Sequence, residues 1–422
     1  MTWDTAEGLV RLNFDPLFTV AIASMLFIMG AWLRRKIALL RRFCVPSGVV
    51  GGLCMAFFAL TLYHSERATI SFDHVFQIPM VSIFFTRVGM TGSFRLLTRG
   101  GRTLFKYLLF CWGLVLFQNA LGVLLAKLFG IHPVLGVMAG AVSLEGGHNL
   151  AVIFGPMAES LGVSGAGVVA VASATFGLMA GGTLGAPVAE WLIRSRRLEI
   201  ATSYDMLYKG YHDLCRDGHS SENENIEIHD FVHTLGLLLV IMALGRWGAE
   251  RLQARIAGIP GWESFTLPGY VGAMFLAVIF RNVNDAFKIV RVHPKSMDLI
   301  STVSVSLFLT VSMMSLRIWE LYGLALPLVI ILAAQTVAVV GIAVVFLFPM
   351  LGGDYDAAVI CSGFVGHGLG APPSAVSMMR AVCDQYNVIS YRAFLIVPLC
   401  GAVLIDILAL PVIIWFVGYF AR

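Results

Sequence analysis

Short polar segments divide the chain into about ten uninterrupted apolar stretches, and no other feature so narrows what it can fold into. In the first half these stretches cover residues 17–33, 45–63, 79–94, 104–129 and 167–193. In the second half they cover 231–251, 265–280, 297–314, 322–348 and 393–420. A helix crosses the hydrocarbon core of a bilayer with roughly 20 apolar residues. Within lipid the backbone must satisfy its own hydrogen bonds, which leaves helices and closed barrels. Barrel strands alternate over roughly ten residues, whereas these runs are long and continuous. The expectation is an all-α polytopic membrane protein with about ten transmembrane helices.

Composition removes the competing classes. Of the 422 residues, 58% are hydrophobic and 13% charged, against about a quarter charged in soluble domains. A soluble enzyme, a disordered scaffold and a secreted disulfide framework are all excluded. The formal charge of +4 arises from short basic clusters between apolar runs, which argues against a nucleic-acid partner. Seven cysteines, scattered and odd in number, read as packed thiols. His212, Cys215 and His219 are loosely spaced in a polar stretch, so a solvated loop is favoured over a metal site.

Basic residues set the orientation. Arg34, Arg35, Lys36, Arg41 and Arg42 follow the first run, and Arg95, Arg99, Arg102 and Lys106 lie around the start of the fourth. The positive-inside rule puts both loops in the cytoplasm and both termini outside. The longest polar stretch, 194–230, is then a cytoplasmic linker between an N-terminal unit (1–193) and a C-terminal unit (231–422). Arg281, Lys288, Arg291 and Lys295 mark a further inside loop, while Arg246, Arg251 and Arg255 fall outside.

The two units match weakly but in order. Val45-Pro46-Ser47-Gly48-Val49 resembles Leu267-Pro268-Gly269-Tyr270-Val271. Ser82, Thr86 and Met90 match Ser306, Thr310 and Met314; Gln118 matches Gln335, and Gly146 matches Gly363. Gly177, Pro187 and Trp191 match Gly401, Pro411 and Trp415. Five spans in each unit, an odd number, would make the second copy start on the opposite side of the membrane. That is the inverted repeat of many secondary transporters.

Each unit also contains a glycine-broken segment with more residues than one crossing needs, around 133–165 and 357–385. Both read as re-entrant or broken helical hairpins. The first tip is Ser143-Leu144-Glu145-Gly146-Gly147-His148-Asn149-Leu150. The second runs from Cys361 to Ser374 and includes Gly366, His367, Gly368, Gly370, Pro372 and Pro373. Irregular backbone at membrane depth is tolerated only when buried or lining a cavity. Its free N–H groups suit an anion and its carbonyls a sodium ion. Gly146, Gly147, His148, Asn149, Gly366, His367, Gly368, Gly370 and Ser374 are thus candidate substrate contacts. The competing reading is that the glycines serve close helix packing.

At these residues the chain resembles the bacterial sodium/glutamate symporters, from Pro46 to Trp415. The resemblance is strongest in Ser304-Val305-Ser306-Leu307-Phe308-Leu309, Trp319-Glu320-Leu321, Asp354-Tyr355-Asp356-Ala357-Ala358, Gly368-Leu369-Gly370-Ala371 and Ile405-Asp406-Ile407. Ala174-Thr175-Phe176-Gly177-Leu178 is also similar. The resemblance implies sodium-coupled uptake of glutamate across the bacterial inner membrane, with sodium as coupling ion and no cofactor. It further implies two inverted five-span halves, a homodimer, and an elevator movement of a transport domain against a scaffold. The first loop departs from the family pattern Ser-Gly-Gly-His-Gly-Thr-Gly: here it is Glu145-Gly146-Gly147-His148-Asn149-Leu150-Ala151. In the second, Phe364 stands where a histidine usually follows the first glycine, and His367 comes three residues later.

Ionisable groups at membrane depth read as functional. Asp406 could supply a charged oxygen to sodium, together with hairpin-tip carbonyls, or anchor a helix. Glu145 could neutralise Arg87, bind a cation or exchange a proton. Arg87 could hold a substrate carboxylate through a bidentate contact or snorkel toward the inner loop. Ser362 and Thr175 are further candidate ion ligands. A symporter for another small carboxylate, a proton-coupled carrier and an ion channel are the alternatives. Ser374, His367 and Asp406 have the residue types of a hydrolase triad, but no nucleophile motif surrounds Ser374, so an enzyme is not expected.

Overall fold

The computed structural model describes residues 2–6, 9–38, 40, 45–65, 68–92, 94–198, 227–256 and 267–421. Most of the expected linker lies outside the described residues, as do His212, Cys215, His219, Arg41 and Arg42. The described part is mostly helical. By chain order, α1 is Pro16–Lys36, α2 Ser47–His64, α3 Gln77–Thr91 and α4 Phe94–Leu128. Three short helices follow, α5 Pro133–Met138, α6 Ala141–Leu144 and α7 Gly147–Ser160, and then α8 Ala166–Ser195. The second half holds α9 Ile228–Ile256, α10 Gly269–Phe287, α11 Pro294–Met314, α12 Ala325–Ile342, α13 Tyr355–Tyr386, α14 Tyr391–Leu399 and α15 Asp406–Phe420.

Seven helices among the described residues are long and apolar enough to cross a membrane. The other three expected spans differ for local reasons. α3 has 15 residues. α10 ends in a polar run that includes Arg281, Asn282, Asn284 and Asp285, with Arg281 Nε 3.0 Å from Asp285 Oδ1. The final apolar run is divided by a π-helical turn, Cys400–Leu404, just before Asp406. Exposed Leu17, Met25, Ile28 and Trp32 on α1 give it the apolar surface expected against lipid.

The all-α expectation needs one correction. Thr2–Ala6, Leu9–Phe14 and Ala68–Phe72 form a small sheet, antiparallel between the first two strands and parallel between the second and third. Its apolar residues Val10, Leu12 and Phe14 recur every second position, the period of a strand rather than a helix. The Phe14 and Phe72 rings stack at 5.5 Å.

The helices pack as two groups. α1, α2, α3, α9, α10 and α11 contact chiefly one another, and α4 to α8 pack with α12 to α15. Within the second group α8 lies along α13 through a stripe at Gly177, Gly181 and Gly185. A Cβ on Gly177 would overlap the Leu369 carbonyl, and one on Gly181 would stand 2.8 Å from the Gly366 oxygen. A small residue every fourth position lets two backbones approach this closely.

Candidate functional site

The first tip is interrupted twice. The chain leaves helical geometry at Gly140 (φ −103°, ψ −135°) and adopts φ +62° at Gly147, a left-handed conformation that favours glycine. Glu145 lies between α6 and α7, and no side chain caps the N-terminus of α7.

In the second segment helical hydrogen bonding runs from Tyr355 to Tyr386. Nonetheless a Cβ on Gly366 would stand 2.7 Å from the Ala375 Cα. Nine residues of straight helix span about 13.5 Å, so the chain doubles back between these positions. Gly185 supports this, since it faces both the Ser362 carbonyl and the Met378 side chain.

Both tips reach one cavity of about 150 Å³. Glu145, Gly146 and Asn149 line it from the first segment, and His367 and Pro372 from the second. Asp406 and Gly401 contribute from the last apolar run, and Phe85 and Arg87 from α3. Larger cavities of about 490 and 470 Å³ lie near the third strand and around Arg317, but neither tip lines them.

Of the residues singled out in the sequence, Arg87, Glu145, Gly146, Asn149, His367 and Asp406 therefore converge. The others are placed elsewhere. His148 Nε2 lies 3.1 Å from Thr175 Oγ1, and that hydroxyl donates to the Val171 carbonyl. Ser374 Oγ donates to the Gly370 carbonyl at 2.8 Å. Gly366 and Gly370 pack against Gly181, and the Gly368 carbonyl accepts from Gln118 Nε2 at 2.8 Å. Gly147 supplies the left-handed turn, and Ser362 is buried with its hydroxyl unpartnered among the described residues.

Of the alternatives open for Arg87 and Glu145, a pair between them is not the one the structure shows. Arg87 donates through Nε and Nη2 to Asp298 Oδ1, at 3.1 and 2.8 Å. Asp298 sits one turn into α11, which packs beside α3, and no sequence signal pointed to it. Glu145 instead is 5% exposed and neither carboxylate oxygen has a hydrogen-bond partner among the described residues. His367 is 3% exposed, and both its ring nitrogens are likewise unpartnered. Phe364, the departure in the second loop, packs edge-on against buried Tyr107 at 6.0 Å. Gln118 and Gln335, matched between the two units, link helices: Gln335 Nε2 donates to the Gln118 carbonyl at 2.7 Å.

Apolar helices around a cavity that buried Glu145 and His367 line, with both glycine-rich segments reaching it, define a polytopic membrane protein suited to holding a small polar solute. The chain belongs to the sodium/glutamate symporter family, whose model matches residues 12–388. It is similar to the sodium/glutamate symporter of Haemophilus influenzae, with 33% identity over 94% of this chain and 95% of the relative. The sodium/glutamate symporter of Escherichia coli K12 is 32% identical over 94% of this chain and 95% of that protein. The family is one of symporters, so this chain is an integral membrane transporter and not an enzyme.

Proposed function

We propose that the protein carries glutamate or a similar small anionic amino acid together with sodium, by alternating access. The observation that carries this reading is the meeting of the two tips with Glu145, His367 and Asp406 at one cavity. Backbone N–H groups at the start of α7 suit a substrate carboxylate, with Gly146 and Asn149 beside them. Asp406 and the tip carbonyls offer oxygen to sodium.

Matched local geometry supports two inverted five-span halves. Pro46 and Pro268 precede α2 and α10 with nearly equal dihedral angles, −61°/140° and −63°/143°. Thr86 donates to the Ser82 carbonyl as Thr310 does to that of Ser306. Pro187 and Pro411 both lie inside helices. The two packing groups support an elevator: Arg87 and Phe85 approach the cavity from one, and Glu145, His367 and Asp406 from the other. In this reading both termini face outward, the central loop is cytoplasmic, and the protein is a homodimer in the inner membrane.

The test is uptake of labelled glutamate into proteoliposomes with sodium and proton gradients imposed separately. Accumulation above the external concentration on a sodium gradient alone is expected. Equilibration without accumulation would indicate a channel, and accumulation on a proton gradient alone would overturn sodium coupling.

A further inference from the structure

Resting on the proposed carriage of a small amino acid, we propose that Glu145 and His367 receive the substrate's ammonium group and so select amino acids over plain carboxylates of equal length. The cavity holds two carboxylate side chains, Glu145 and Asp406. Among the described residues that line it, the one cation, Arg87, has its guanidinium engaged by Asp298. A substrate bearing only negative charge therefore finds no cation outside that ion pair among the described residues lining the cavity. An ammonium meets acceptors that are ready for it.

The buried polar atoms make the assignment specific. Both Glu145 oxygens and both His367 nitrogens lack partners among the described residues, and both side chains line the cavity while being more than nine-tenths buried. A buried polar group without a partner is costly, so such groups are kept where a ligand completes them. A sodium ion is a poor fit to this pair, because hard cations take oxygen ligands and imidazole nitrogen is not one. An ammonium is a three-proton donor that carboxylate oxygen and neutral imidazole nitrogen can both accept. The second imidazole nitrogen then carries a proton and faces away from the ammonium. Glu145 stands where the family pattern has serine, so the carboxylate is a feature of this chain.

The test is ligand-induced thermal stabilisation of the purified full-length protein in sodium buffer, with paired ligands: glutamate against glutarate, and aspartate against succinate. The wild type is expected to bind the amino member at least tenfold more tightly in a pair it accepts. In Glu145→Gln the amino acid should lose at least tenfold while the deaminated partner does not weaken, so the preference collapses. His367→Phe should narrow it too, and retained binding of the deaminated ligand reports a folded site. Equal weakening of both members, an unchanged ratio, or no preference in the wild type would overturn the proposal. Because binding is read without transport, failure of sodium-driven uptake with the ammonium preference intact would reject the proposed function alone.

Discussion

Gly181→Ala probes the contact that holds the second tip in place. The Cβ added by alanine would stand 2.8 Å from both the Gly366 oxygen and the Gly370 nitrogen. Ordinary contact begins near 3.4 Å, so α8 and the first arm of α13 must separate by about 0.6 Å. The opposing atoms are backbone on both sides, and no side-chain rotation relieves the overlap. Overpacking of this kind costs about 1–3 kcal/mol, against a gain of about 0.8–1 kcal/mol from replacing a helical glycine with alanine. The net expectation is a loss of about 1 kcal/mol, with His367 shifted relative to Glu145. Heat survival in detergent should fall, and uptake at low glutamate should drop about tenfold, equivalent to about 1.4 kcal/mol. Gly113→Ala and Gly341→Ala are the controls, because a Cβ at either position meets nothing within 4 Å. If Gly181→Ala matches these controls in both assays, close approach of α8 to the second tip is not what positions the site.

Gln118→Leu and Gln335→Leu should each destabilise by about 0.6–1.7 kcal/mol, the range for hydrogen bonds between membrane helices. Their coupling in a double-mutant cycle should stay under about 0.5 kcal/mol, because Gln335 binds the Gln118 main-chain oxygen, which the substitution preserves. Arg87→Gln and Asp298→Asn should change glutamate affinity to the same extent, with the double variant no worse than either. Both side chains are partly exposed, so the stability effect stays under about 1 kcal/mol, and additive losses in affinity would instead mean that Arg87 acts on substrate independently of Asp298. His74 precedes α3 outside the spans, and burial holds it below the usual histidine value of 6.5 against the opposing effects of Asp73 and Gln77. The unfolded chain binds that proton more readily, so stability at this position is full above about pH 6.5 and falls as the pH drops below it. In thermal melts between about pH 7.5 and pH 5.5, His74→Gln should lose less stability than the wild type.

Much of this was legible in the sequence because the bilayer imposes it. Runs of roughly 20 apolar residues can only be helices, and glycines amid such runs mark where helices stop. That reasoning drew attention to the glycine-rich stretches at Glu145 to Gly147 and around His367. What it could not see was pairwise geometry. Arg87 and Glu145 are both charges at membrane depth, and simple economy joins them. The packing of α3 on α11 gives Arg87 to Asp298 instead, a contact 211 positions apart in sequence. The glycines of the second tip raised a similar ambiguity. Gly366 and Gly370 read first as ligand cradle, with packing the competing reading, until the Gly177, Gly181 and Gly185 stripe on α8 is seen to lie against them. The N-terminal sheet was missed because its third strand comes from beyond α2, a pairing that the alternation within Leu9–Phe14 does not announce.

The most direct test is a cryo-electron microscopy map of the protein in lipid nanodiscs with sodium and glutamate. Density for a small solute between Glu145, Asn149, His367 and Asp406, enclosed by both interrupted segments, is the expected result. Solute bound elsewhere, or a second segment that continues through residues 366–375 without turning back, would contradict the shared cavity at the centre of the mechanism.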